Sequence, residues 1–321
     1  MLGAGDRKQT ADSMVSIDND SLYSHDTESG HSVQRVAWTK GGAQSDVAEI
    51  LGHELVRVTG DLDASCVTNR VHLLVTKRFP RSLLVPTVVP VGFDLESIHQ
   101  VTVAVGDGPH TPRAVRTAAQ VATSLGIPGT MLTAYASEHD ADAANERLSR
   151  YSSSTPDFDA IAIETSDPRS ITDHLSRDTL LVHGAGGGSF LDRHFTGTGS
   201  RLTSRARGCV LVVKDAPGRC FQVMLDPTEY AISPDLLVAD ALQLIALPFA
   251  PVVAAHRLLG IVRVRDLMNV SPGQTISEAI SQPPAVNECD PTETLVAVRE
   301  ETGPGPIPVT NANGDLVGVI T

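Results

Sequence analysis

The segment from Thr179 to Lys214 constrains the possible fold of this chain most strongly. It places an apolar run, 179–183, before a glycine-rich stretch and ends in a second apolar run, 209–213. Short apolar runs bounded by glycine predict buried strands, and the residues between these two are numerous enough for one helix. Glycines let a backbone approach an anion closely, and the N–H groups at a helix start point towards it. The segment therefore predicts a strand–loop–helix–strand unit with a phosphate site in its loop.

The residues around this segment alternate regularly between short apolar runs, which predict strands, and segments with the 3.6-residue periodicity of helices. Five strands are predicted between residues 98 and 215, separated by helical segments over Thr111–Leu125, Asp140–Tyr151, Pro168–Leu175 and about Gly197–Arg207. The strands are Gln100–Val105, Thr130–Tyr135, Phe158–Ile163, Thr179–Gly184 and Val210–Val213. Such alternation predicts a doubly wound α/β domain with a parallel five-stranded sheet, in which ligands lie beyond the carboxyl ends of the strands.

The spacing of four residues in the glycine-rich stretch resembles a known nucleotide signature. Gly184, Gly187, Gly197 and Thr198 fit Gly-x2-Gly-x9-Gly-Ser/Thr, which is similar to the ATP-binding signature of the universal stress protein family. The runs VTVAVGDGPHTPRAVRTAAQVA, SDPRSITDHL and GCVLVVK also resemble that family, over residues 98–215. The resemblance implies that these four residues hold phosphates and that Asp107 contacts the nucleoside, although Gly106 separates Asp107 from the strand.

The residues before this domain carry weaker signals. Residues 1–45 are polar, and we expect a solvated, disordered arm. Residues 46–97 are more apolar, with predicted strands over Val71–Thr76 and Leu83–Val91. This piece is interpreted either as a degenerate stress-protein domain preceding the complete one or as an unrelated β-rich cap.

The C-terminal segment, 221–321, contains an internal repeat. Pro234 and Pro291 correspond, and Pro251 and Pro308 do so at the same separation. A fixed period indicates one supersecondary unit used twice. The two copies resemble an α+β pair of cystathionine-β-synthase (CBS) domains, which usually bind adenosine nucleotides between the copies.

The CBS resemblance implies a role for Asp266 in gripping the ribose hydroxyls. In the first copy Arg263 stands where the family usually has Thr, and the second copy reaches Thr321, before its own Asp and closing helix. We therefore interpret the second copy as incomplete and expect this pair to bind nucleotide weakly or not at all.

The composition excludes several classes of function. A net charge of −13 argues against nucleic acid or an anionic membrane as partner. The four cysteines form no CxxC, and no apolar run is long enough to span a bilayer. These features favour a cytoplasmic protein without membrane insertion.

We find no convincing catalytic constellation in the sequence. His183 flanks the glycine loop without any metal-ligand spacing and is interpreted as a packing or loop-support residue. The sequence favours a non-catalytic stress-response or regulatory protein that binds ATP or AMP, with Mg possible beside ATP. The alternatives are a slow nucleotide-dependent ATPase or transferase, and an interaction module whose nucleotide sites no longer bind nucleotide. We also expect a homodimer, formed through an exposed edge strand at Val210–Val213.

Overall fold

The computed structural model describes residues 34–165, 167–186, 198–282 and 284–321. The strands are Arg35–Trp38 (β1), Glu54–Arg57 (β2), Leu73–Val75 (β3), Thr87–Val91 (β4), Gln100–Ala104 (β5), Gly129–Tyr135 (β6), Phe158–Glu164 (β7), Thr179–Gly184 (β8), Val210–Lys214 (β9), Phe249–Ala254 (β10), Arg257–Arg263 (β11), Val286–Asn287 (β12), Ile307–Thr310 (β13) and Leu316–Ile320 (β14). The α-helices are Gly42–Leu51 (α1), Leu62–Thr68 (α2), Thr111–Leu125 (α3), Ala141–Ser149 (α4), Thr198–Arg205 (α5), Cys220–Val223 (α6), Val238–Leu244 (α7), Val264–Leu267 (α8) and Thr294–Thr302 (α9). Short 3-10 segments lie at Leu95–Ser97, Glu138–Asp140, Pro168–His174, Pro227–Glu229 and Ile276–Ala279.

The central domain has the predicted five parallel strands, but they belong to a larger sheet. Nine strands pair in the order β2-β1-β3-β4-β9-β8-β5-β6-β7. All neighbours are parallel except β4 and β9, which run antiparallel. The prediction of a separate five-stranded sheet is therefore wrong in extent. The prediction that Val210–Val213 lies at a sheet edge is also wrong, because β4 pairs with every residue of β9.

The residues before the central domain form a second, smaller half of the sheet. In both halves the first strand (β1 or β5) has the second strand (β2 or β6) on its outer side. The next two strands, β3 and β4 or β8 and β9, follow on the inner side. Only β7 has no counterpart among the described strands, so residues 35–91 repeat the strand order of the central domain without its third strand.

The predicted boundary at residue 45 is wrong. Residues 35–38 form β1 and residues 42–45 begin α1, so this part of the chain belongs to the sheet rather than to an arm. The side chains of Val36 and Ala37 are fully buried, which explains why a strand of only four residues is stable there. The remainder of the predicted arm, residues 1–33, lies outside the described residues.

Helices α1 and α3 cover one face of the sheet, and α3 follows its sequence signals closely. Pro112 lies in its first turn, and Gly126 ends it in the left-handed conformation, with φ 64°. The residue that precedes the helix is His110 rather than the expected cap Thr111, which is itself buried in the first turn. A row of small apolar side chains faces the sheet: Ala114, Val115, Ala118, Val121 and Ala122.

The C-terminal segment packs against the other face of the N-terminal half. One buried cluster combines Ala37 and Leu74 of the sheet with Phe221, Ile307 and Val309 of the repeat. Hydrogen bonds reinforce this contact, since the Gln222 amide donates to the Val71 carbonyl at 2.9 Å. The repeat is thus a structural layer of the same unit.

Candidate functional site

The loops after β5 and β8 meet at one edge of the sheet, as the sequence predicts. Strands β5 and β8 are neighbours, with Ala104 opposite His183. Gly184 lies beneath His110, and a Cβ on Gly184 would be only 3.1 Å from the His110 backbone carbon. Glycine at position 184 therefore permits the close approach of these loops. The Asp215 N–H, just after β9, donates to His110 Nδ1 at 3.1 Å and joins the third strand end to the group.

Asp107 is already paired with a cation at this edge. Arg147 of α4 contacts it twice, with Nε 3.0 Å from Oδ1 and Nη2 2.8 Å from Oδ2. Arg147 Nη1 also donates to the hydroxyl of Thr133 on β6 at 3.0 Å. The hydrogen bond from Arg147 holds the pKa of the Asp107 carboxyl below its usual value. Sequence reasoning missed Arg147, because a polar-faced helix carries no signal of which cation turns towards a strand end.

The other predicted phosphate-binding residues are described only in part. Gly187 and Gly197 lie outside the described residues, and Thr198 is the first residue of α5. His183 joins β8 to this helix, because Nδ1–H donates to the Gly184 carbonyl and Nε2 accepts from the Thr203 hydroxyl, each at 2.9 Å. Burial lowers the pKa of His183. These contacts agree with the loop-support role predicted for it.

A cavity of about 340 Å³ lies within the C-terminal repeat. Its walls come from residues 228–232 near the start of the first copy, residues 244–247 at the end of α7, Phe249 and Ala250 of β10, and Pro306 of the second copy. Cavities of roughly 300–1,000 Å³ with mainly apolar walls are typical of small-molecule sites. No sequence pattern predicts this cavity, because its walls are distant in the chain.

Glycine in the second copy shapes one wall of this cavity. A Cβ on Gly305 would overlap with the ring of Phe249, whose side chain is 4% exposed. Gly305 and Pro306 therefore allow the second copy to lie directly against the aromatic ring of the first.

The predicted ribose-binding residue, Asp266, belongs to the short helix α8 beside this cavity. The N–H of Val264, the first residue of α8, donates to the Pro248 carbonyl at 3.0 Å, next to the cavity wall. Arg263 is opposite Phe249 in the β10–β11 pair. Arg263 and Arg265 lie 3.9 and 3.6 Å from the Asp266 carboxylate. A carboxylate and a guanidinium thus lie close together on the segment that adjoins the cavity wall, although neither side chain lines the cavity.

The two copies are related as the repeat predicts. Pro251 and Pro308 occupy equivalent strands, and each strand has a register irregularity directly after the following valine. Ser281, which precedes the second copy, pairs with Ile261 of the first. In the same way Leu225, near the start of the first copy, pairs with Val319 of the second. Each copy therefore pairs with a residue near the start of the other.

Two kinds of feature are absent from the described residues. Within these ranges no helix is long and apolar enough to cross a membrane. The same part of the chain contains no group of three or more His, Cys, Asp or Glu side chains arranged for a metal ion.

Comparisons with known proteins find a family match for the first copy of the repeat. The family model for the CBS domain matches residues 222–273, which confirms the CBS prediction for the first copy. No curated protein matches the chain. The stress-protein resemblance of residues 98–215 stays a prediction.

Solved structures similar to part of the chain include CBS-containing proteins. The cytosolic domain of the Mg²⁺ channel MgtE in complex with ATP is 22% identical, with a TM-score of 0.29, and the match covers 32% of this chain and 45% of that one. The CBS domains of a transcriptional regulator from Streptococcus pneumoniae are 23% identical, with a TM-score of 0.30, over 32% of this chain and 92% of that one. A CBS domain pair/ACT domain protein from Thermotoga maritima is 15% identical, with a TM-score of 0.30, over 32% and 89%.

Proposed function

We propose that this protein is a regulatory protein that binds an adenine nucleotide in the cavity of its CBS pair. The observation that carries the proposal is the apolar cavity between Phe249 and Pro306, with Arg263 and Asp266 at the adjoining helix start. CBS domains commonly bind ATP or AMP. The proposal gives this cleft more weight than the sequence did, since the sequence predicted weak binding or none.

The chemistry of the cavity matches the parts of a nucleotide. Tyr230, Phe249 and Pro306 offer apolar and aromatic surface to a base. The Asp266 carboxylate can accept hydrogen bonds from two ribose hydroxyls, and the Arg263 guanidinium can donate two hydrogen bonds to a phosphate. Ligand binding would then bear on both copies, because Pro306 belongs to the second.

A second candidate site is the edge of the central domain at Asp107 and Gly184. The strand order, the close approach of Gly184 to His110 and the resemblance of 98–215 to universal stress proteins support an ATP site there. In this proposal residues 35–91 are a shortened second stress-protein unit, the first of the two interpretations left open by the sequence. ATP would have to displace Arg147 from Asp107 or bind beside the ion pair.

Calorimetric titration of the full chain with AMP and ATP tests both sites. Asp266→Asn keeps the shape of the side chain and removes the charge, so it should weaken AMP binding about ten- to a hundredfold. Asp235→Asn, an exposed carboxylate before α7, is the matched control and should leave AMP affinity unchanged. Equal AMP affinity in Asp266→Asn and the parent would overturn the proposed cleft.

The central candidate is tested separately with Gly184→Ala. Its Cβ would press on the His110 backbone, and ATP binding at that edge should weaken while AMP binding in the cleft stays the same. The proposed role is regulatory, and the alternative is slow ATP hydrolysis or transfer. Product analysis after incubation with ATP and Mg²⁺ separates the two, since a regulatory protein returns ATP unchanged.

A further inference from the structure

The N-terminal half of the sheet has its own point where the strand order reverses. From β1 the chain passes through α1 to β2 on one side, while β3 lies on the other side of β1. In open parallel sheets ligands bind at such a point, beyond the carboxyl ends of the two strands. Here the two loops are joined by the Thr39 N–H, which donates to the Val75 carbonyl at 3.1 Å. This edge is separate from the CBS cavity and from the edge at Gly184.

The loop after β1 presents unsatisfied donors at this edge. Gly41 and Gly42 follow directly on Thr39-Lys40, and α1 begins at Gly42 and runs for 10 residues. No side chain caps α1 within the described part of the chain, and its first turn contains no acidic residue. The N–H groups of that turn and the positive end of the helix dipole are therefore available to an anion.

A largely buried glutamine lies at the same place. Gln44, in the first turn of α1, is only 7% exposed, and its side chain has no hydrogen-bond partner among the described residues. Its carboxamide occupies the space where a Cβ on residue 41 would lie, so residue 41 must be glycine. The φ of 152° at Gly41 also favours glycine. The polar atoms of the Gln44 amide are not fully enclosed, so they can hydrogen-bond a ligand at the loop.

Cations surround the loop although the protein is acidic. Trp38 of β1 lies opposite Val75 of β3. Lys40 and Lys77 each follow two residues later, after these adjacent strands. Both are exposed, as is the neighbouring Arg78, and none of the three has a carboxylate partner in the described part of the chain. The chain has a net charge of −13 and only four lysines, and two of those lysines lie at this edge.

We propose that the edge formed by Thr39–Gly42 and Lys77–Arg78 binds a phosphate-bearing small molecule. The open N–H groups of α1 and the Gln44 amide hydrogen-bond the phosphate oxygens. Lys40 and Lys77 neutralise their charge. The inference does not depend on the proposed CBS ligand, because it uses a different part of the chain.

Inorganic tripolyphosphate is the probe, since it has no base or ribose for the CBS cavity. Calorimetry of the full chain at low salt should detect binding, and raising the salt concentration should weaken it. The double variant Lys40→Gln/Lys77→Gln should bind tripolyphosphate at least about tenfold more weakly. The variant Arg150→Gln/Arg257→Gln removes the same charge from exposed positions elsewhere and should bind as the parent does.

One further variant and one competition experiment extend the test. Gln44→Glu is isosteric and places a negative charge at the loop, so it should also abolish tripolyphosphate binding while the protein remains folded by circular dichroism. ATP that competes with tripolyphosphate would identify a nucleotide phosphate as ligand, and ATP that does not compete would identify inorganic polyphosphate. Absence of binding at millimolar tripolyphosphate, or equal binding by the Lys40→Gln/Lys77→Gln variant, would overturn the proposal.

Discussion

Val89 and Val212 lie directly opposite each other at the centre of the only antiparallel pair in the nine-stranded sheet of the described residues. Each is the middle residue of its five-residue strand, so the two halves of the sheet are related about this pair. The sequence predicted that Val210–Val213 would recruit a second chain. Its backbone groups are instead paired within the chain, by the strand at the same place in the other half.

The β4–β9 pairing predicts a cross-link within one chain. Opposite residues in an antiparallel pair have Cα atoms about 4.5–5.5 Å apart, which is within the Cα separation that a disulfide spans. The double variant Val89→Cys/Val212→Cys should therefore form a disulfide under mild oxidation and run as a compact monomer on a non-reducing gel. The parent, with its own four cysteines, is the control. A disulfide-linked dimer as the main product would show that the strand pairs between chains.

The equivalent glycines of the two copies should differ in their tolerance of alanine. A Cβ on Gly260 would lie 2.5 Å from the Ser281 carbonyl oxygen, which the backbone holds in place. A Cβ on Gly318 would lie 2.7 Å from the sulfur of Met224 and 2.8 Å from its Cβ, so rotation of the Met224 side chain can relieve part of the overlap. We expect Gly260→Ala to lower the free energy of unfolding by about 2–3 kcal/mol and Gly318→Ala by about 1 kcal/mol. Urea denaturation measures both.

Gly273 provides the control for this pair. A Cβ added to Gly273 would meet no atom within 4 Å, and the residue has no positive φ. Gly273→Ala should therefore leave the free energy of unfolding within about 0.5 kcal/mol of the parent. An equal loss in Gly260→Ala and Gly318→Ala would contradict the difference between backbone and side-chain neighbours.

The pairing of Asp107 with Arg147 gives a prediction for the carboxyl group. In Arg147→Met the main cause of the lowered pKa is removed, so the pKa of Asp107 should rise towards its ordinary value. Stability should change by no more than about 1 kcal/mol through the ion pair, because the Asp107 side chain is 64% exposed. An NMR titration of the Asp107 carboxyl carbon measures the shift. An unchanged pKa would mean that Arg147 does not pair with it in solution.

The parts of the fold that the sequence predicted well depend on local signals. The five strands of the central domain are mainly apolar segments of five to seven residues, and Pro112 and Gly126 mark the ends of α3. The repeat was visible because the spacing of Pro251 and Pro308 survives in the chain. The strand and helix signals act within about 15 residues, where periodicity and turn chemistry decide the structure.

The parts that the sequence did not predict depend on contacts between distant segments. Strands β1 and β2 are four residues each, and Arg35 and Glu54 form an ion pair across them at 2.7 Å, so their pattern resembles a polar loop. The antiparallel register of β4 on β9 joins residues that are far apart in the chain, such as Val89 and Val212. The candidate cavity likewise depends on contact between Phe249 and Gly305, which no local sequence pattern predicts.

His72 joins the N-terminal half of the sheet to the start of the repeat. Its Nδ1 accepts from the Arg35 N–H at 3.3 Å, and its Nε2–H donates to the Gln222 carbonyl at 3.2 Å. Since a backbone N–H only donates, Nδ1 must be unprotonated, and the neutral ring is the form that fits. Burial lowers the pKa of His72; the charges of Arg35 and Arg113 lower it further, while the Gln222 carbonyl and Glu54 oppose the shift.

Acid should therefore destabilise the protein through this residue. The folded pKa lies below the ordinary value of 6.5, so the unfolded chain binds the proton first as the pH falls. The stabilising contribution is complete above about pH 7 and is lost as the pH falls from 6.5 towards the folded pKa, by at most about 1.4 kcal/mol per pH unit. His183 should act in the same direction, because burial also lowers its pKa.

Urea denaturation at about pH 5.5 and 7.5 should show a smaller difference in the free energy of unfolding for His72→Gln than for the parent. The control His139→Gln, on an exposed turn, should match the parent. An unchanged pH dependence in His72→Gln would exclude His72 as a source of the acid sensitivity.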